Sequence, residues 1–86
     1  MPTISTFLGM VITMYVSEHP PPHFHVRHGE LRAVFDIQTG ELLKGKLPRN
    51  ALKSVEKWRK IHEKELLENW HRREQGKPLL KIPPLK

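Results

Sequence analysis

The sequence predicts an α+β fold: a three- to four-stranded antiparallel β-meander packed against one long C-terminal helix, with an extended Pro/Leu-rich tail. Three observations carry that expectation. Residues 23–47 alternate apolar and polar side chains between glycine turns, which is the period of half-buried strands. Residues 48–75 switch to helical spacing. Residues 77–86 hold three prolines among four aliphatic side chains, a composition that favours extended chain.

The first strand is expected near 10–16, where Met10-Val11-Ile12-Thr13-Met14-Tyr15-Val16 is rich in β-branched residues. Ser17 to Pro22 is then a loop, because its prolines cannot donate ladder hydrogen bonds. Strands near 23–28 and 31–37 flank Gly29-Glu30, and a short strand near 42–47 follows Gln38-Thr39-Gly40. A tight turn at Gly29-Glu30 pairs Phe24 with Phe35 and Val26 with Ala33. A three-residue loop with Gly40 in the left-handed conformation pairs Phe35 with Leu43 and Ala33 with Gly45. Both hairpins then place Phe24, Val26, Ala33, Phe35, Leu43 and Leu47 on one face. The other face carries His23, His25, Arg27, Arg32, Val34, Asp36, Lys44 and Lys46. A one-residue slip would scramble both faces.

Pro48 stands at a first-turn position, where its missing N–H costs nothing. Ala51, Val55, Trp58, His62 and Leu66 form the apolar stripe of a helix over about 48–75, flanked by Leu52, Ile61 and Trp70. His62 falls within that stripe and reads as a core histidine. Gly76 and Pro78 end the helix. It would span roughly 40 Å at 1.5 Å per residue, more than a short sheet can cover. Its far end must therefore bend, meet the tail or meet another chain. Residues 1–76 read as a single domain and 77–86 as its tail.

Eighty-six residues allow one small core. The absence of cysteine excludes disulfides and thiolate zinc sites, and it suits a cytoplasmic location. No stretch approaches the roughly 18 apolar residues of a membrane span, so no membrane partner is expected. Fifteen Lys and Arg against nine Asp and Glu give a net charge of +6, which favours polyanionic partners, RNA among them.

Four of the six histidines fall within His19-Pro20-Pro21-Pro22-His23-Phe24-His25-Val26-Arg27-His28. On a strand, His23 and His25 share a face. In the expected register Asp36 lies across from His23, where a carboxylate would orient the imidazole for acid–base work. Arg27, Arg32, Lys44 and Lys46 on that face would contact phosphate. Together they suit metal-independent phosphodiester cleavage, with His23, His25 and Asp36 as the catalytic set. The same residues equally suit surface histidines capping a proline loop, or a divalent-metal site. For zinc or a similar ion, His19, His23 and His25 would be ligands, with Asp36 or Glu30 available as a fourth. No Gly-rich phosphate loop or nucleophile elbow occurs.

Met1-Pro2-Thr3-Ile4-Ser5, His19-x-Pro21-Pro22-His23-Phe24-His25, Phe35-Asp36-Ile37-x-Thr39-Gly40-Glu41, Leu47-Pro48 and Leu66-Leu67-x-Asn69-Trp70 together resemble a family of short bacterial proteins. That family is described only as a domain of unknown function. Its members are often encoded beside a second small protein, which implies a cognate protein partner and an arrangement resembling toxin–antitoxin pairs. His28 stands where an aromatic is expected in relatives. The layout is also similar to small mRNA-cleaving toxins with a double-stranded-RNA-binding-like fold. It departs from them in having Ser17-Glu18, not glycine, before its first histidine. The leading functional expectation is an RNA-facing module, toxin-like in its cleavage chemistry. The alternative from another class is a non-enzymatic interaction protein, homodimeric through the helix end and tail.

Overall fold

Turn chemistry and side-chain alternation produce a five-stranded antiparallel meander in the computed structural model, which describes residues 3–86. Met1 and Pro2 of the first family motif lie outside the described residues. The strands are β1 (Thr3–Phe7), β2 (Met10–Thr13), β3 (His23–His28), β4 (Leu31–Asp36) and β5 (Leu42–Gly45), ordered in the sheet as in the chain. The fold class is α+β as expected, with two corrections to its parts.

The first correction is an additional strand. β1 pairs with β2 through a two-residue turn in which Leu8 holds φ 50°. That left-handed position normally goes to Gly, Asn or Asp, so the turn leaves no recognisable signal. β2 also stops at Thr13, earlier than the expected Val16.

The second correction concerns the helix. It divides into α1 (Arg49–Ile61) and α2 (Glu63–Glu74) at His62, whose φ of −112° and ψ of 23° depart from helical geometry. The longest principal extent is 34 Å, less than the roughly 40 Å a straight helix over 48–75 would span. The break lets both segments bury apolar faces: Ala51, Val55 and Trp58 from α1, then Leu66 and Trp70 from α2. His62 is a hinge residue, half-buried against Trp58 and paired with Glu65, and not a core histidine.

The β3–β4 register matches expectation: Phe24 faces Phe35, Val26 faces Ala33 and His23 faces Asp36. Ala33 also faces Gly45, but a bulge between Val34 and Phe35 then pairs Phe35 with Leu42. Leu43 is consequently exposed, while Phe24, Val26, Ala33, Phe35 and Leu47 are buried as expected. Gly45 makes the close approach possible. At φ +83° a Cβ there would collide with the Arg32 carbonyl, which accepts from the Lys46 N–H instead.

The tail folds back on its own chain. Ile82 is buried, and its N–H donates to the Ile4 carbonyl at 2.8 Å. Trp58 Nε1 donates to Pro83, and the Asn69 amide exchanges two hydrogen bonds with Leu80. Leu79 and Leu85 pack against the core, leaving Leu80 exposed. No helix is long and apolar enough to cross a membrane among the described residues.

Candidate functional site

One sheet face carries two rows set by the pairing register. Thr13, His25, Val34 and Lys44 form one row across β2 to β5, and Val11, Arg27 and Arg32 form the next. Their side chains share a face because strand residues alternate. A groove of about 530 Å³ lies here, lined by Tyr15, His25, Arg27, Arg32, Val34 and Lys44 among others. Arg27 and Arg32 are direct cross-strand partners, an arrangement in which like charges repel. Arg27, Arg32 and Lys44 form no ion pair among the described residues. Lys46, expected beside them, is exposed and does not line the groove.

The histidines meet a different carboxylate from the one expected. Asp36 lies opposite His23 in register, yet its Oδ1 accepts from the Gln38 and Thr39 N–H groups at 2.8 and 2.9 Å. It caps the turn after β4 and makes no hydrogen bond to His23 among the described residues. Glu18 supplies that carboxylate from the proline loop. Its Oε1 lies 2.5 Å from His25 Nε2 and its Oε2 3.3 Å from His23 Nε2. His23 Nδ1 donates to the Pro21 carbonyl at 2.7 Å. Trp70 of α2 packs on His23 with ring centroids 5.1 Å apart, and Tyr15 meets His25 edge-on at 4.6 Å. The three side chains are 17% (Glu18), 11% (His23) and 28% (His25) exposed. Each offers a ligand atom, and these atoms lie within 4.8 Å of one another.

His19 is exposed and stands outside this cluster, so the expected ligand trio loses His19 and gains Glu18. Glu30 is exposed and lies outside it too. His25 alone belongs to both the cluster and the groove.

A model of the family described as domain of unknown function DUF4160 matches residues 9–71. The chain belongs to this family. The DUF4160 match takes in the whole cluster and all the groove cations, and it leaves out β1 and the tail. No curated protein and no solved structure matches the chain.

Two further buried cations escaped the sequence reading. Arg59 donates to Glu56 through Nε and Nη2 at 2.9 and 2.7 Å, and to the Ile37 carbonyl at 2.9 Å. The Arg59 hydrogen bond holds the Glu56 carboxyl below its usual value, and Glu56 in turn raises Arg59. Arg73 donates to the Val16 carbonyl and lies over the Trp70 ring at 3.8 Å. Both sit where helical spacing continues the apolar stripe, Arg59 four residues after Val55 and Arg73 three after Trp70, and the Ile37 and Val16 carbonyls they reach are far away in sequence.

Proposed function

We propose that the chain is an RNA-facing module that holds the backbone of a single strand in the groove on its open sheet face. The observation that carries this reading is the Arg27–Arg32 cross-strand pair. Like charges opposed on neighbouring strands cost stability, and no carboxylate of the described residues relieves them. An anion supplied from outside would. Lys44 extends the positive row, and Tyr15 offers a ring on which an unpaired base can stack. The groove has the volume of a small-molecule site, which suits one nucleotide unit at a time and not a duplex.

The test is fluorescence anisotropy of labelled single- and double-stranded RNA and DNA at two salt concentrations. Wild type should bind single-stranded RNA with strong salt dependence. Arg27→Ala/Arg32→Ala should weaken binding and reduce the salt slope by about 1.4, roughly 0.7 for each single-strand phosphate that is no longer neutralised. Absence of binding at low salt would remove this reading. It would favour a protein-interaction module using exposed apolar positions such as Leu42 and Leu43 on the edge strand. Cleavage product formed in EDTA and lost in His25→Ala would support metal-independent chemistry, with Glu18 in the role expected of Asp36.

A further inference from the structure

We infer that Glu18, His23 and His25 form a binding site for one divalent transition-metal cation of the zinc class. The convergence of two imidazole nitrogens and a carboxylate carries the inference. The Pro21 carbonyl can only accept, so His23 Nδ1 bears the hydrogen of the 2.7 Å contact. That contact turns His23 Nε2 toward Glu18 Oε2, 3.3 Å away. The same carboxylate reaches His25 Nε2 through its other oxygen. One ligand atom from each of the three residues lies within 4.8 Å of the others, close enough for a single ion to meet all of them. An Nδ1–H donated to a backbone carbonyl is also how metal-binding imidazoles are held with Nε2 toward the ion.

The surroundings support the assignment. In a chain of net charge +6, Glu18 is paired with no lysine or arginine among the described residues, only with the two imidazoles. The other histidine–glutamate contacts, His62–Glu65 and His71–Glu74, are two-residue pairs three apart on a helix. No second group of three ligands occurs among the described residues. Two imidazole nitrogens and one carboxylate oxygen suit zinc, nickel, copper or ferrous iron, and they do not suit calcium or magnesium, which prefer all-oxygen shells. Three protein ligands leave coordination room for water or a bound anion. Because His25 also lines the basic groove, an anion held there would lie beside the ion. A bound ion would occupy His25 Nε2 and remove it from proton transfer.

Calorimetric titration of ZnCl₂ into the tag-free full chain, after dialysis against EDTA, tests this directly. The expected result is one site per chain, weakened at least about tenfold by Glu18→Gln and by His25→Ala. His19→Ala and His71→Ala should bind like wild type, and MgCl₂ should give no comparable heat. Circular dichroism establishes that each variant is folded, and His25, the most exposed of the three, serves if Glu18→Gln is not. Arg27→Ala/Arg32→Ala should retain zinc binding, so the site stands independently of the RNA reading. Zinc binding equally weakened by His19→Ala or His71→Ala would mean scattered surface-histidine binding and overturn the proposal. So would zinc binding unchanged by Glu18→Gln and His25→Ala.

Discussion

Two polar clusters adjoin where β3 begins and β4 ends, and they differ in the kinds of group that converge in each. Around Arg59 every strong group has a partner. The guanidinium spans the Glu56 carboxylate and the Ile37 carbonyl, and Asp36 caps the turn that presents that carbonyl. Around Glu18 two imidazole nitrogens and both carboxylate oxygens converge, and no lysine or arginine pairs with the carboxylate among the described residues. A guanidinium fills the first cluster and serves the fold, while the second holds the donor set of a transition-metal site.

The largest effect expected from this contrast is at Arg59. Arg59→Ala strands the Ile37 carbonyl and releases Glu56, and should cost about 2–3 kcal/mol in urea unfolding. A near-neutral result would remove the distinction between the clusters. Gly40→Ala comes next. Gly40 holds φ +80°, and a Cβ there would run into the Glu56 carboxylate and the Arg59 guanidinium. A loss of about 1–2 kcal/mol is expected, with zinc and RNA binding retained.

The pH response sharpens the same comparison. The Glu56 carboxyl is held down chiefly by its hydrogen bond to Arg59. Its stabilising contribution is therefore complete above the unfolded-state value and lost as pH falls through the lowered folded value. Arg59 shifts upward, so its contribution persists until pH exceeds the ordinary arginine range. Glu56 is 40% exposed, which keeps the effect modest. Glu56→Gln should flatten the acid limb of stability below the usual glutamate range, as read by unfolding across pH. The smallest effect belongs to Glu18→Gln. The new amide keeps the shape of the side chain and an acceptor oxygen beside the imidazoles, so metal-free stability should stay within about 0.5 kcal/mol of wild type.

Much of the sheet was legible because its code is local. Alternation from His23 to Asp36 admits one register with an apolar face, and that register brought His25, Arg27, Arg32 and Lys44 together. The bulge that exposed Leu43 inserts one residue between the partners of Val34 and Phe35, which alternation does not encode. Glu18 was hidden for a different reason. It sits in a proline loop with no period, and only the path of Pro20 to Pro22 brings it back to the imidazoles. Asp36 was placed correctly across from His23, but two N–H groups of its own turn claimed its carboxylate. The helix break at His62 has no proline or glycine to announce it, and it shows only in the backbone geometry there. The tail's apolar residues announced that they would be covered; that Asn69, Trp58 and Ile4 do the covering was not readable from spacing.

If the Glu18 cluster holds a cation where the Arg59 cluster holds none, the imidazole rings will report it. Long-range proton–nitrogen correlation spectra of the imidazole rings test it most directly, recorded metal-free and after one equivalent of zinc. The Nε2 signals of His23 and His25 should move while the His23 Nδ1 hydrogen stays, with His19 and His71 unmoved. His23 and His25 signals that ignore zinc, or all six histidines shifting together, would contradict it.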